Sequence, residues 1–171
     1  MKTISLSIVV PIGPRDQSWQ DLLKNLGSIL STLSLQKVDI VLSYCQEDEE
    51  LFLKQLRLFE EGKSFSIEAI GSERGRSNQL NKGAQKAKGE FLWFLHADSS
   101  LEESSLVRLY QSLADEPKAL HYFNLTFLDD GPFLTRLNEW GARIRSDALK
   151  MPFGDQGFCL KKDVFRSLGG F

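Results

Sequence analysis

The sequence has little of several features, and each shortage excludes a class of protein. Its 171 residues contain two cysteines, Cys45 and Cys159, which lie far apart in the chain. This is neither a disulfide framework nor the spacing of a zinc site, so both are predicted to be buried thiols in a reducing compartment. The formal net charge is only −2, which gives no electrostatic case for binding nucleic acid or an anionic membrane.

Long apolar runs are also absent: no run of apolar residues approaches the length needed to cross a bilayer. The run at residues 4–10 is followed directly by Pro11 and lacks the small-residue cleavage site of a signal peptide. We therefore predict that this run is the first strand and that the protein is cytoplasmic. A chain of 171 residues with 42% hydrophobic and 26% charged residues suits one soluble globular domain.

Apolar patterning predicts that strands and helices alternate through the first two thirds of the chain. Short apolar runs bounded by turn residues predict buried strands at residues 5–11, 38–42, 65–70 and 91–95. Apolar residues at helical spacing predict helices over residues 19–33, 49–61, 77–88 and 101–114. A strand–helix unit repeated four times favours a parallel sheet covered by helices on both faces.

The pattern changes after Pro117. Residues 120–128 alternate partly and suit a strand with one wetter face, of the kind found in antiparallel pairs. A helix is predicted over residues 133–149, with Trp140 on its apolar stripe, which favours a place in the core over an acceptor wall or a self-association face. A short strand at 158–160 and a last helical turn at 162–168 follow. The fold class is therefore α/β, a mostly parallel sheet flanked by helices with a mixed or antiparallel C-terminal part.

Polar loops follow the four predicted parallel strands, and ligands bind at the carboxyl ends of such strands in open α/β sheets. These loops carry charges of both signs, from Arg15, Asp16, Glu47, Asp48, Arg74, Arg76, His96 and Asp98. Arginines contact phosphate, and one or two carboxylates commonly hold Mg²⁺ or Mn²⁺ beside it. The loops therefore predict a site for an anionic, metal-bound ligand.

Each of these residues also suits a purely structural role. Asp98 and Ser99 suit the cap of the next helix, as these residue types often do. Loop arginines are often solvated, and His96 equally suits a hydrogen-bonded structural position. The chain contains no Walker loop, no G-x-G-x-x-G after the first strand and no nucleophile elbow. The first two absences argue against a P-loop NTPase and a dinucleotide dehydrogenase.

Six stretches, spread over nearly the whole chain, resemble one known family. They are SIVVP (7–11), ERGRSNQLNKGA (73–84), AKGEFLWFLHAD (87–98), WGARIRS (140–146), PFGDQG (152–157) and KKDVFRSLGGF (161–171). In this order they resemble the inverting nucleotide-sugar glycosyltransferases of family 2, which have the GT-A fold. More narrowly, they resemble a small bacterial branch associated with radical-SAM and selenocysteine-domain proteins.

The resemblance implies a donor site at the same edge of the sheet. Pro11 would line the base and ribose pocket, Arg76 would approach the nucleotide, and Asn81 would lie where the third helix passes under the donor. The stretch from His96 to Asp98 falls on the family's Asp-x-Asp motif, with histidine in the first place. Asp98 keeps the metal-binding place, which implies Mn²⁺ or Mg²⁺ as the cofactor.

The chain departs from the family's pattern at two places. After the second strand the family has an Asp-rich exit, and here Tyr44 offers a ring for stacking while Glu47 or Asp48 offers a carboxylate. The family's Glu-Asp motif, which contains the general base, follows the Gly-Gly-Phe at which this sequence stops. We therefore expect an interrupted C-terminus. The loop at residues 152–157 would border the acceptor side, with Asp155 as a substitute base and Gln156 as a substrate contact.

These observations lead to one expectation and two alternatives. We expect one domain over residues 1–171, with a donor-binding half at 1–115 and an acceptor-side half at 116–171. Its function would be metal-dependent, inverting transfer of a sugar from a nucleotide-diphosphate sugar, a UDP-sugar, to an unknown acceptor. A binding or scaffold domain without the base is the first alternative. A nucleotidyltransferase is the second, and it would need a basic, glycine-rich loop that residues 12–15 do not provide.

Overall fold

The computed structural model describes residues 4–33, 37–60, 66–123 and 156–171. The strands are β1 (Leu6–Ile12), β2 (Val38–Cys45), β3 (Ser66–Ser72), β4 (Phe91–Phe94) and β5 (Cys159–Lys161). The helices are α1 (Trp19–Leu33), α2 (Glu49–Glu60), α3 (Arg76–Lys86), α4 (Glu103–Asp115) and α5 (Lys162–Ser167). A short 3₁₀ turn, Gln46–Asp48, connects β2 to α2. The predicted alternation of strands and helices is confirmed.

The described strands form one sheet in the order β3-β2-β1-β4-β5. Neighbouring strands from β3 to β4 run parallel, and β5 runs antiparallel to β4. The chain moves outward from β1 to β3 and then returns to the other side of β1 to form β4. The strand order therefore reverses between β1 and β4, which is where open α/β sheets bind ligands. The predicted fold class, mostly parallel with an antiparallel C-terminal part, is confirmed.

Two apolar clusters cover the two faces of this sheet. All seven residues of β1 are buried, because β1 lies at the centre with strands on both sides and helices above and below. On one face, Ile8 and Val10 pack with apolar residues of α1 and α4. On the other face, Val9 packs with α3 and α5. A strand buried on both faces needs a continuous apolar run, which is the pattern seen in the sequence.

Helix α3 lies unusually close to the sheet because glycine occupies the contact. A Cβ atom added at Gly83 would lie 2.5 Å from Cγ1 of Val9. At Gly89 an added Cβ would lie 2.6 Å from the backbone nitrogen of Ser7. Ser7 is fully buried, and its hydroxyl accepts the N–H of Gly89 at 2.7 Å and donates to Asp39 at 2.8 Å. The contact at Gly83 sets how closely α3 packs on β1, and the contacts of Gly89 with Ser7 hold the connection from α3 to β4.

Two strands extend further than the sequence pattern predicted. The strands predicted at residues 38–42 and 65–70 continue to Cys45 and Ser72 as β2 and β3. The reason is pairing on both sides, since Tyr44 is in register with Ile12 of β1 and Cys45 with Ser72 of β3. Ladder hydrogen bonds on both sides outweigh the turn-forming composition of this stretch.

Some predicted elements fall only partly on the described residues. Of the predicted strand at 120–128, His121 forms an antiparallel bridge with Cys159, and residues from 124 onward lie outside the described residues. The predicted helix at 133–149, including Trp140, also lies outside them.

Both cysteines are buried and free, as predicted. Among the described residues, no helix is both long and apolar enough to cross a membrane.

We predict a small acid-sensitive contribution from Glu68 of β3, which binds Lys86 at 3.1 Å and also pairs with Lys88. These hydrogen bonds lower the pKa of Glu68, so the stabilisation is present above the unfolded pKa of about 4.3 and is lost as pH falls through the lower folded value. Glu68→Gln should lower the free energy of unfolding by about 0.5 kcal/mol at pH 7. Urea unfolding at pH 7 and pH 3 measures this difference.

At pH 3 the gap between wild type and Glu68→Gln should shrink, because the wild-type carboxylate is then increasingly protonated. Glu116→Gln, which changes an exposed carboxylate just after α4, is the control and should show no loss at pH 7. A Glu68→Gln loss that is the same at both pH values would contradict the ionic origin of the effect.

Candidate functional site at the carboxyl edge of the sheet

Four polar loops leave the same edge of the sheet, because β1 to β4 are parallel. The register aligns their ends, with Ile12 opposite Tyr44 and Cys45 opposite Ser72. The charged residues predicted from the sequence therefore lie along one edge. The strand ends differ in how much of each side chain remains available to a ligand.

The exit of β1 is a tight turn. Pro11 is buried within β1, in register with Ser43. After it the chain turns, with the N–H of Asp16 donating to the carbonyl of Gly13 at 3.1 Å and Arg15 at a left-handed φ of 59°. One carboxylate oxygen of Asp16 accepts the N–H and the hydroxyl of Ser18 at 2.9 and 2.6 Å. This oxygen therefore shapes the turn before α1.

The exit of β2 gives Tyr44 a structural role. Its ring stacks on Phe52 with centroids 4.6 Å apart, its hydroxyl donates to Glu49 at 2.6 Å, and only 5% of the residue is exposed. Burial, and then the hydrogen bond to Glu49, raise the pKa of Tyr44 to about 12. Tyr44 was predicted to stack on a base, but in the structure its buried ring stacks on Phe52 in the core.

A small depression lies between the exits of β1 and β2. Asp48 is half-buried there and lies opposite the turn that contains Arg15 and Asp16. The floor of the depression includes Ile12 and the buried Cys45, and burial raises the pKa of that thiol. The structure thus brings the predicted residue Asp48 together with the β1 exit.

The exit of β3 leads directly into α3. Gly75 precedes the helix with φ of 131°, a conformation that side-chain-bearing residues rarely adopt. Arg74 and Arg76 are both exposed on either side of it. The guanidinium of Arg76 lies 3.3 Å from Nδ1 of His96, so the structure joins two predicted site residues from different loops.

This contact decides what His96 offers to a ligand. When an arginine donates to Nδ1, the neutral imidazole carries its proton on Nε2. Neither ring nitrogen then has a lone pair for a cation. In this arrangement His96 orients Arg76, whereas a role as a metal ligand would require the contact to break.

The exit of β4 presents Asp98. The N–H of Leu95 still donates to the carbonyl of Val9 at 3.0 Å, and the N–H of Ser99 donates to the carbonyl of His96 at 3.2 Å. This turn leaves Asp98 exposed. Helix α4 begins only at Glu103, with Glu102 as its N-cap, so the alternative that Asp98 caps the next helix is wrong.

Asn25 of α1 anchors the segment after Asp98. Its side-chain oxygen accepts the N–H of Leu101 at 2.8 Å, and its nitrogen donates to the carbonyl of Leu101 at 3.0 Å. The sequence pattern gave no sign of this residue, because its partner lies 76 residues away. The turn that carries Asp98 is therefore held by β4 on one side and by α1 on the other.

The donor set fits a cation that is shared with a phosphate ligand. Within the described ranges, no three His, Cys, Asp or Glu side chains lie close enough together to hold a metal ion by themselves. Asp98 supplies one exposed carboxylate at the carboxyl edge of the sheet. Mg²⁺ and Mn²⁺ are often held by one or two carboxylates together with substrate phosphates, so the residues present suit that mode rather than an all-protein cage.

Two residues predicted to bind substrate bind backbone atoms instead. Asn81 donates to the carbonyl of Phe171 and accepts its N–H, both at 3.0 Å. Gln156 is 1% exposed and donates to the carbonyl of Phe123 at 3.0 Å, while the N–H of Phe123 donates to the carbonyl of Gln156 at 2.8 Å. In both cases the side chain joins distant segments of the chain. Asp155 lies outside the described residues.

We predict that Asn81 holds Gly170 and Phe171 in place. Gly169 and Gly170 have nearly equal positive φ values, 88° and 85°, so alanine is strained equally at each. An added Cβ at Gly170 would lie 2.5 Å from Oδ1 of Asn81, whereas at Gly169 it would meet nothing within 4 Å. Gly170→Ala should therefore release the Phe171 amide to rapid hydrogen exchange, and Gly169→Ala should not.

Hydrogen exchange followed by NMR at the Phe171 amide measures this difference directly. Asn81→Ala should match Gly170→Ala, because it removes the acceptor that the added Cβ of Gly170→Ala displaces. Equal exchange rates in Gly169→Ala and Gly170→Ala would show that backbone strain alone sets the order of this segment.

The sequence pattern did not lead to a predicted role for Gln79. It is 5% exposed, and its Nε2 donates to the carbonyls of Ile12 and Ser43 at 2.6 and 2.8 Å. A signal was present, because Gln79 lies four residues before the buried Gly83 and so on the apolar stripe of α3. A long polar residue on a buried stripe needs a hydrogen-bond partner, and here the partners are strand ends.

The structure is similar to solved glycosyltransferases over nearly its whole length. Mannosyltransferase PcManGT from Pyrobaculum calidifontis, in complex with GDP-Man and Mn²⁺, matches with a TM-score of 0.73 and 17% identity, over 100% of this chain and 48% of its own. TarS 1-349 from S. aureus, in complex with UDP-GlcNAc, matches with a TM-score of 0.63 and 12% identity, over 97% and 48%. The chain thus spans about half the length of either solved chain.

A third solved structure is of another kind. The 4-diphosphocytidyl-2C-methyl-D-erythritolsynthase from Anaerococcus prevotii DSM 20548 matches with a TM-score of 0.62 and 10% identity, over 98% of this chain and 75% of its own. At these identities the matches show the fold alone, and the fold is the GT-A arrangement. No curated protein matches the chain. The sequence model described as Glycosyl transferase family 2 matches residues 7–169, and the chain therefore belongs to glycosyl transferase family 2.

Proposed function

We propose that this domain binds a nucleotide-diphosphate sugar and a divalent cation at the carboxyl edge of β1 to β4, and transfers the sugar with inversion. One observation carries the proposal: Asp98 is exposed on a turn that is not a helix cap, two residues after His96, which holds the guanidinium of Arg76. A carboxylate and a guanidinium on one edge suit a cation and a diphosphate together. Family membership and the nucleotide sugars in the solved complexes support this assignment.

Different residues would contact the cation, the phosphates and the nucleoside of the donor. Asp98 would hold Mn²⁺ or Mg²⁺, and a bound cation would offset the charge of the diphosphate leaving group. Arg76, oriented by His96, would donate hydrogen bonds to the phosphate oxygens, with Arg74 beside it. The nucleoside would bind over the depression between the exits of β1 and β2, with Asp48 accepting an N–H of the base and Pro11 fixing the strand beneath.

Transfer also requires a group that accepts the proton of the acceptor hydroxyl. In an inverting transfer that oxygen attacks the anomeric carbon as the bond to the diphosphate breaks, and the electron pair leaves with the diphosphate. Asp155 remains the predicted base for this step. Positioning of the two substrates in line supplies much of the rate, and the exits of β1 to β4 form a rigid edge for the donor.

A thermal-shift screen tests donor binding. UDP-, GDP- and other nucleotide sugars should raise the melting temperature in the presence of Mn²⁺ and raise it less in EDTA, because a ligand that binds the folded state stabilises it. We propose UDP-sugars as the donors and expect the largest shift from them. No shift with any nucleotide sugar in either condition would contradict the proposal.

Turnover separates transfer from its alternative. NMR of a reaction with a responding donor should show release of the nucleoside diphosphate and a product of inverted anomeric configuration. Binding without release in the presence of a broad acceptor mixture would favour the nucleotide-sugar-binding domain without a base. Release of pyrophosphate from CTP or UTP with a sugar phosphate would instead favour nucleotidyl transfer.

A further inference from the structure

Gln79 connects two neighbouring strands at their carboxyl ends. Its side-chain NH₂ donates to the carbonyl of Ile12, the last residue of β1, at 2.6 Å and to the carbonyl of Ser43 in β2 at 2.8 Å. The side chain is 5% exposed, so these bonds form away from water. One amide group thus uses both of its protons on the two strands whose exit loops border the depression.

The other side-chain links across these strand ends are longer. Between β1 and β2, the thiol of Cys45 lies 3.9 Å from the carbonyl of Ile12, and between β2 and β3, the hydroxyl of Ser72 lies 3.5 Å from the carbonyl of Tyr44. A thiol is a weak hydrogen-bond donor, so the Cys45 contact restrains the exits of β1 and β2 less than two amide N–H bonds do. Gln79 therefore provides the strongest side-chain restraint described between the exits of β1 and β2.

Gln79 also links these exits to the phosphate side of the edge. It lies three residues after Arg76 on α3, and residues at this spacing are neighbours on a helix surface. Arg76 contacts His96 in the turn after β4. The same helix turn thus contacts the ends of β1 and β2 through Gln79 and the loop after β4 through Arg76.

We propose that Gln79 is a positioning residue for the nucleoside part of a nucleoside diphosphate. By holding the carbonyls of Ile12 and Ser43, it sets the distance between the loop that contains Arg15 and the turn that contains Asp48. These two segments border the depression over which the nucleoside would bind. The inference rests on the proposed function, because it names the residue that shapes the nucleoside side of the same site.

The test compares two probes that share a diphosphate but differ in the nucleoside. Isothermal titration measures the Kd of UDP and of inorganic pyrophosphate, each with Mn²⁺, in wild type and in Gln79→Met. Methionine keeps the length of the side chain and removes both donors. The Kd of UDP should rise about tenfold, roughly the loss of 1.4 kcal/mol of binding energy, while that of pyrophosphate should change less than about twofold.

A matched control separates positioning from lost stability. Leu109→Ala removes a buried side chain on α4, which packs on the opposite face of the sheet from α3. It should lower the melting temperature without raising the Kd of either probe. Gln79→Asn is a second variant, because its shorter side chain cannot reach both carbonyls, and it should show the same split between UDP and pyrophosphate.

The wild-type protein provides a measurement that needs no variant. Hydrogen exchange of the Gln79 side-chain NH₂, followed by NMR, should slow when UDP and Mg²⁺ bind and should not slow with pyrophosphate and Mg²⁺. Equal effects of the two probes would overturn the inference.

The outcomes also distinguish this inference from the proposed function. Wild type that binds neither UDP nor pyrophosphate would overturn the proposed function and this inference with it. Wild type that binds UDP, with variants that bind it equally well, would overturn the inference alone. Variants that lose affinity for UDP and pyrophosphate in equal measure would show that Gln79 only maintains the fold.

Discussion

Replacing Gly83 with alanine is expected to lower the free energy of unfolding by about 1–2 kcal/mol, because the cost of forcing extra atoms into a packed core, about 1–3 kcal/mol, outweighs the gain in helix propensity of about 0.5–1 kcal/mol. The added Cβ would lie 2.5 Å from Cγ1 of Val9, which is closer than real carbon atoms approach. Helix α3 cannot simply move outward, because Gln79 is bonded to the ends of β1 and β2. Urea unfolding of the variant measures the loss.

The same clash predicts a rescue by a second substitution. Val9→Ala removes Cγ1, so it should make room for the methyl group that Gly83→Ala introduces, although alone it should cost about 1–3 kcal/mol as a core truncation. The double variant should therefore be more stable than the sum of the two single losses predicts, with a coupling of about 1 kcal/mol or more. Additive losses would contradict this account of the contact.

Gly89 provides the matching case in which rescue should fail. Its added Cβ would meet the backbone nitrogen of Ser7 at 2.6 Å and the carbonyl carbon of Leu6 at 2.8 Å. Since the clash is with backbone, no side-chain truncation in β1 relieves it. Gly89→Ala should be at least as destabilising as Gly83→Ala, and Val9→Ala should not improve it.

Asp98→Asn is expected to have the largest effect on ligand binding. The substitution keeps the size of the side chain and removes the charge at the exposed turn after β4. If Asp98 holds the cation, the Kd of UDP measured with Mn²⁺ should rise at least as much as the roughly 10–100-fold that loss of an outer-shell metal partner costs. Isothermal titration with Mn²⁺ and then with EDTA measures the effect.

In Asp98→Asn, the Kd of UDP measured with Mn²⁺ should be similar to the Kd measured with EDTA, because the variant no longer holds the cation. Asp115→Asn, which changes an exposed aspartate at the end of α4, is the matched control and should behave as wild type. A variant Asp98→Asn that keeps the full Mn²⁺ dependence would show that the cation binds elsewhere.

The parts of the fold that follow from local periodicity could be predicted. Helix α1 was predicted with its observed bounds, because residues such as Trp19, Leu22 and Leu26 repeat at helical spacing and all face the sheet. The ends of β2 and β3 could not, because pairing with neighbouring strands extends β2 to Cys45, just before a polar run, and β3 through Gly71 and Ser72, which suit turns. Local composition contains no information about a neighbouring strand.

The same distinction applies to the site. The position of Asp98 followed from a general property of parallel sheets, whose carboxyl ends meet at one edge. The hydrogen-bond partners of Asn81 and Gln79 could not be predicted from the sequence. Asn81 binds an atom 90 residues away, and Gln79 binds atoms 67 and 36 residues away. A polar side chain on a helix shows that a partner is needed, but only the folded structure shows which one.

Paramagnetic broadening tests most directly whether the carboxyl edge holds a cation together with a nucleotide. Amide spectra are recorded with UDP and Mg²⁺, and small amounts of Mn²⁺ are then added, which broadens signals near the bound ion. We predict that residues 96–99 broaden first, followed by Arg76, and that this requires UDP. Broadening centred on the acidic residues 47–50, or unchanged by omission of UDP, would contradict the account.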